Sequence, residues 1–222
     1  ALNLVAKAEN CIIAEGKVNH KRLIPSTIPN NQIKSTDALP VKIHQRRIII
    51  ENPGYFLAVI DVLNSETIHE YTSWYHLHPN LVVRKDTSTR MGVYDMDGNK
   101  HCQIQCYDSD ANSIESIEVR GQIKPRLQGW HSRNGRELEE NTAIGFPLSG
   151  KSYFAVTLFD FKMENTGIPY LRIGTSGKYL RFSLVQHKKK IDVRLRTDAA
   201  GKTTAEVKID DSSVDVSIIS ND

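Results

Sequence analysis

The stretch Lys190-Ile191-Asp192-Val193-Arg194-Leu195-Arg196 alternates apolar and charged residues without a break. A strand has a side-chain period of two, so Ile191, Val193 and Leu195 share one face and Asp192, Arg194 and Arg196 the other. Ala199-Ala200-Gly201-Lys202 then reads as a turn, after which Ala205, Val207 and Ile209 alternate with Glu206, Lys208 and Asp210. A second turn at Asp210-Asp211-Ser212-Ser213 leads into Val214, Val216 and Ile218, alternating with Asp215 and Ser217. The three runs predict an antiparallel meander with one face in water.

Upstream, the runs lose their polar face. Arg47-Ile48-Ile49-Ile50-Glu51 stops at Asn52-Pro53-Gly54, a turn signal, and Tyr55 to Leu63 follows directly, so the two predict a buried hairpin. Val93 to Cys102 centres on Asp97-Gly98, a dipeptide of short hairpin turns. Tyr153 to Phe161 and Lys178 to Val185 read as two further buried strands. Pro25 to Pro40, with three prolines, reads as a long surface loop, and Asn134 to Ser149 as a loop with a short turn of helix. Long helical patterns are nearly absent and no internal repeat is found. A dozen or more strands with short turns predict an all-β chain: a large antiparallel β-sandwich with a Pro-rich surface loop and a C-terminal meander. The expected division is residues 1–165 as the sandwich core and 166–222 as a meander that continues or caps it.

A chain of 222 residues can bury a substantial core without covalent staples. Its 39% hydrophobic and 25% charged residues place it with soluble globular proteins. Twenty-nine basic against 26 acidic residues, a net charge of +3, is too balanced to imply nucleic acid or a membrane surface as partner. No apolar stretch is long enough to span a bilayer as a helix. Cys11, Cys102 and Cys106 lack a metal-type spacing and read as buried free thiols. The opening at Ala1, without Met or a signal-peptide pattern, reads as a mature form or an excised piece of a longer protein.

Chemistry-bearing residues concentrate in Glu66 to Pro79 and Gln128 to Arg136, where aromatics, histidines and arginines interleave. Sugars present flat apolar faces that stack on aromatic rings, and their carboxylates or sulfates pair with arginine bidentately. The candidate substrate-binding residues are therefore Trp130, His131, Arg133, Arg126 and Trp74. The competing reading puts both tryptophans in the sandwich core.

Alternation places Trp74, His76 and His78 on one strand face. Two histidines at that spacing can chelate, but a zinc site needs a third ligand and an orienting partner, and neither is visible. No metal is assigned. Asp95, Asp97 and Asn99 resemble a calcium loop only faintly, because the glycine is out of place and no glutamate closes the loop; an Asp-Gly turn explains them better. Asp160, His131 and Ser132 lack the strained elbow that presents a catalytic serine. Lys188-Lys189-Lys190 reads as a solvated hairpin tip, and no glycine-rich phosphate loop is present. No catalytic residue and no cofactor are assigned.

Three motifs occur in order. His44-Gln45-Arg46 precedes the Ile48–Glu51 strand and the run from Tyr55 to Asp61; His76-Leu77-His78-Pro79 follows; then comes Gly129-Trp130-His131-Ser132-Arg133-Asn134-Gly135-Arg136-Glu137. Together they resemble the C-terminal β-sandwich of the heparinase II/III-like polysaccharide lyases, whose patterns are His-x-Arg, His-Leu-x-Pro and Gly-Trp-x-Ser with a Gly-Glu loop. Here Arg136 intervenes between Gly135 and Glu137. The resemblance covers roughly residues 1 to 162.

It implies an enzyme that cleaves uronic-acid polysaccharides, glycosaminoglycans among them, by β-elimination. A base removes the C5 proton and an acid protonates the leaving oxygen. In that family the catalytic groups come largely from an N-terminal α/α toroid and from a His-x-His-x-Asp stretch of the sandwich. This chain shows neither. The resemblance thus implies a non-catalytic C-terminal sandwich of a bacterial lyase, with a missing toroid domain and an acidic polysaccharide as partners and a periplasmic or secreted location. A free-standing carbohydrate-binding module for acidic glycans is the alternative.

Overall fold

Alternation and turn chemistry yield strands throughout, and no helix occurs among the described residues. In the computed structural model these are residues 2–8, 11–23, 40–52, 54–108, 110–132, 134–135, 137–162, 170–176, 179–186, 189–197, 203–209 and 212–216. In chain order the strands are β1 (Leu2–Ala8), β2 (Cys11–Leu23), β3 (Pro40–Asn52), β4 (Phe56–His76), β5 (Leu81–Lys85), β6 (Arg90–Asp95), β7 (Lys100–Tyr107) and β8 (Ile117–Arg120). There follow β9 (Trp130–Ser132), β10 (Leu138–Glu140), β11 (Thr142–Asp160), β12 (Tyr170–Ser176), β13 (Tyr179–Gln186), β14 (Lys189–Thr197), β15 (Thr203–Ile209) and β16 (Ser212–Val216).

A nine-stranded antiparallel sheet runs β1-β2-β3-β4-β11-β7-β6-β5, with β8 also paired to β11. β9 and β10 form a small hairpin, and β12 to β16 a five-stranded sheet in chain order. The meander expected from residue 190 onward is present, with Ile191 opposite Ile209 and Val207 opposite Val214. Ile218, Lys188 and most of the Pro25–Pro40 stretch lie outside the described residues; Pro40 itself opens β3.

β4 and β11 are 21 and 19 residues long and pair almost end to end, from Phe56 opposite Asp160 to His76 opposite Ala143. A straight strand rises about 3.3 Å per residue. Tyr75, opposite Ile144, would then be tens of ångströms from Phe159, opposite Leu57. Their ring centroids are 5.2 Å apart. The β4–β11 ribbon therefore doubles back, near the register shift between Gly150 and Ser152, and its halves face each other as two layers of a β-sandwich. Near the fold, Ser65 Oγ donates to Thr67 O (2.5 Å) and accepts from Tyr71 Oη (3.1 Å).

The core fills the space between the halves. Leu63, Ile144, Phe146 and Ala155 of the ribbon meet Met91, Val93, Cys102, Ile104 and Cys106 of β6 and β7. Each such large side chain contributes about 1.5–3 kcal/mol on burial. On the opposite face of β3, β4 and β11, Ile48, Ile50, Phe56, Ala58, Ile60, Val156 and Leu158 are buried as well. Burial on both faces is why residues 47–63 show no alternation. Asp61, 1% exposed, carries a charge into this core and accepts from Arg47 Nε (2.6 Å) and Nη2 (2.9 Å). A buried carboxylate persists only when paired in this way.

Asn134 to Ser149 does not form the expected loop and helical turn; it supplies β10 and the first half of β11. Gly145 and Pro147 disguise the strand. β8 accompanies β11 only as far as Gly145, so Pro147 sits where that side of β11 has no strand partner among the described residues. Cys102 and Cys106 are free and buried, as expected; the side chain of Cys11 lies outside the described residues.

Candidate functional site

The two chemistry-bearing segments meet where β4 ends. Leu77 leaves the strand but still donates its N–H to Thr142 O (2.9 Å). Asn141, 2% exposed, donates Nδ2 to Leu77 O (2.7 Å) and its backbone N–H to Gly129 O (2.9 Å). One buried amide residue thus ties the end of β4 to the start of the β9–β10 hairpin. Gly129 permits the approach: its φ is +74°, and a Cβ there would lie 2.9 Å from both Asn141 O and Val119 O.

Beyond this clamp the hairpin pairs His131 with Glu139 and Trp130 with Glu140. The preceding loop is closed by backbone hydrogen bonds in both directions between Gln122 and Gln128 (2.9 and 3.0 Å). Gln122 Nε2 donates across the loop to Arg126 O (3.2 Å), and Trp130 Nε1 donates to Gln122 O (3.0 Å). Half-buried Trp130 therefore staples the loop with its polar edge.

Gln128 Nε2 lies 3.1 Å from His76 Nε2. This contact joins the loop to the last residue of β4. His78 does not continue the strand face as alternation predicts, because β4 stops at His76. Its ring instead sits 6.1 Å from that of His131, and its Nδ1 accepts from Asn80 N (3.3 Å).

Trp74 does point to the same side as His76, away from the core. It lies on Gly145, where a Cβ would come within 2.9 Å of Trp74 Cη2, Ile117 Cγ1 and Thr72 Cγ2. Arg126 stands exposed on the loop beside exposed Lys124. Arg133 lies outside the described residues. Arg120 stays at the base, its Nε 3.9 Å from Glu140 Oε2 and its Nη1 3.3 Å from Thr142 Oγ1.

Four of the five sequence candidates thus belong to described segments around one joint, with Trp130 and His131 at its centre. His78 and Gln128 join them only through tertiary contact. Asn141 and Gly129, which hold the joint together, carry no chemical motif; the sole local hint is the glycine before the tryptophan. Among the described residues, no group of three or more His, Cys, Asp or Glu side chains is arranged to hold a metal. Asp95, from the calcium-like run, is satisfied by its own turn: it accepts from Asn99 N (2.8 Å), Asn99 Nδ2 (2.9 Å) and His101 Nε2 (3.1 Å). The joint itself offers imidazole and amide groups for hydroxyls, aromatic surface, and two loop cations.

The family model for the heparinase II/III-like C-terminal domain matches residues 19–158. Among solved structures, the heparan sulfate lyase HepC of Pedobacter heparinus is similar, with a TM-score of 0.51 and 13% identity over 88% of this chain and 28% of the lyase. A heparinase III, the BT4657 gene product, is similar with a TM-score of 0.55 and 12% identity over 88% of this chain and 27% of that one. At such identity the likeness is one of fold, and this chain spans little more than a quarter of either lyase. No curated protein sequence matches the chain significantly.

Proposed function

Because the chain belongs to the heparinase II/III-like C-terminal family, we propose that it is the non-catalytic β-sandwich of a longer polysaccharide lyase. The parent reaction is β-elimination on a uronic-acid polysaccharide. The sandwich supports a helical toroid that carries the catalytic groups, and it lines one side of the substrate cleft. The share of the solved lyases that the fold covers, 27–28%, supports a further domain in the parent enzyme.

The observation that carries the cleft-lining role is the Asn141 clamp, which brings the Trp130–His131 hairpin beside His76 and His78 on one surface. Trp130 and His131 then offer ring edges and hydrogen bonds to the glycan, Arg126 and Arg133 offer charge, and Trp74 extends the surface along β4. Elimination also needs a positioned base and acid, and this reading assigns both to the toroid.

Incubation of the chain alone with acidic polysaccharides, followed by the ultraviolet absorbance of newly formed unsaturated uronate, tests the proposal. No product is expected. Product formation by the isolated chain would show that it carries its own catalytic groups.

A further inference from the structure

We propose that Asn134 is a site of self-modification, where the chain converts its own asparagine through a cyclic imide into aspartate and isoaspartate. The reactants are the Asn134 side-chain amide, the Gly135 backbone nitrogen and water. The site lies in the turn between β9 and β10 and is independent of any glycan.

Asn134 is the one asparagine in the sequence that glycine follows. Ring closure brings the next residue's nitrogen onto the asparagine Cγ, and a side chain on that residue obstructs it; glycine has none. Asn134 and Gly135 are both exposed. Gly135 has a φ of +75°, and a Cβ built there would meet nothing within 4 Å, so the space around it is open. Its N–H lies outside the β9–β10 ladder and donates to Oγ of exposed Ser132 (2.9 Å), an acceptor that water can replace. The Glu137 N–H donates to Asn134 Oδ1 (3.0 Å). That bond draws electrons from Cγ and sits where the addition step places negative charge.

In the first step a solvent base takes the Gly135 N–H proton, and the nitrogen pair forms a bond to Asn134 Cγ. Charge collects on Oδ1, against the Glu137 N–H. Collapse of that oxyanion breaks the Cγ–Nδ2 bond, and Nδ2 leaves as ammonia with a proton from water. Water then opens the imide at either carbonyl, which gives aspartate or isoaspartate and returns a proton to the nitrogen. Isoaspartate carries an extra backbone carbon inside the loop that sets Ser132 opposite Leu138. The change therefore acts on the hairpin that bears Trp130 and His131.

Other asparagines lack the combination. Asn141 is buried and precedes Thr142. Asn99 and Asn112 precede Lys100 and Ser113, and their amides donate to Asp95 and Asp108. Asp97-Gly98 shares the glycine but presents a carboxylate, a poorer electrophile.

The test incubates the chain at mildly alkaline pH, folded and, in parallel, unfolded in guanidinium. Peptide mapping by mass spectrometry, with enzymatic methylation of isoaspartate, follows each position. Residue 134 is expected to convert before any other asparagine, with ammonia released in step. The rate should rise about tenfold per pH unit, because one proton must leave before the ring closes. The folded chain should convert residue 134 at least as fast as the unfolded one, since only the fold places the Glu137 N–H on Oδ1. Gly135→Ala should slow conversion about tenfold or more, because its Cβ crowds the closing ring. Slower conversion in the fold than in guanidinium would show that the hairpin shields Asn134 and overturns the proposal. Earlier conversion at another asparagine, or an unchanged rate in Gly135→Ala, overturns it too.

Discussion

Ser73 Oγ donates a 2.8 Å hydrogen bond to Asp61 Oδ2, a residue twelve positions earlier on the same strand. In a straight strand the two would be about 40 Å apart. The bond exists because the β4–β11 ribbon folds in half, and it lies between the halves. Asp61 binds Arg47 through two further hydrogen bonds, so one carboxylate joins β3 to both halves of β4. The hydrogen bonds that Arg47 donates to Asp61 raise the basicity of its guanidinium against the opposing effect of burial. Burial, reinforced by the Asp61 charge, pushes the Tyr75 phenol up as well, so the phenol stays neutral beside it.

Asp61→Ala strands the Arg47 guanidinium and the Ser73 hydroxyl. The expected loss is about 2–4 kcal/mol, below the figure for a fully enclosed pair because Arg47 keeps water on one side. Ser73→Ala should cost about 1 kcal/mol. Urea denaturation measures both, and an Asp61→Ala protein as stable as the parent would show that the carboxylate does not hold the layers together.

Gly145 is the floor beneath Trp74. Gly145→Val must displace the indole, Ile117 or Thr72, each already within 2.9 Å of the Cβ position. A destabilisation of about 1–3 kcal/mol is expected from overpacking. Trp74 emission should shift to longer wavelength, read in a Trp130→Phe background. Unchanged emission would place the indole elsewhere.

The clamp is tested at Gly129. Gly129→Ala adds a Cβ against two backbone oxygens at a φ of +74° and should part the hairpin from β4. Amide exchange at Asn141 and Leu77 should accelerate by about tenfold or more while Ile104 in the core stays protected. Glycan affinity should fall with it. Uniform acceleration across the chain would instead indicate global loss of stability.

Two titrations follow from the hydrogen-bonding and burial of single groups. The Asn99 side chain and backbone, with His101, hold the Asp95 carboxyl at about 2. A carboxyl lowered on folding adds stability above its unfolded value of about 4 and loses it as the pH falls toward about 2. Carboxyl NMR should therefore give a midpoint near 2 that rises in Asn99→Ala. Burial pushes the Cys102 thiol to about 11 and the Cys106 thiol to about 12. In a Cys11→Ser protein no thiol should react with a disulfide reagent until the chain unfolds, and then both should. Rapid reaction of the native protein would contradict their burial.

The half-wet strands were legible because alternation is local: Ile191, Val193 and Leu195 declare their face within seven residues. The doubling of β4 was not. Asn64-Ser65-Glu66-Thr67 is polar enough to read as a turn between two strands, and a folded strand carries the same composition as a turn. Gly145 and Pro147 hid half of β11 for the opposite reason, since both residues argue locally against a strand. At the site, Trp130 and His131 could be picked out by side-chain chemistry. Their meeting with His76 and His78 could not, because it depends on Asn141 reaching a carbonyl 64 residues away. Nothing in the immediate neighbourhood of Asn141 distinguishes it from any other polar residue beside a strand.

The folded ribbon also constrains how this chain can change length over evolutionary time. A single β4 strand sets the facing of residues in both layers. One residue inserted between Ser65 and Glu70 would invert every later side chain of β4, sending Trp74 and His76 inward and Tyr75 outward. Unless the opposing strand absorbs the slip, as the shift between Gly150 and Ser152 already does once, insertions there are tolerable only in pairs. Single-residue length variation should accumulate instead in turns such as those after Asp95 and Tyr107, which set no downstream facing in the ribbon.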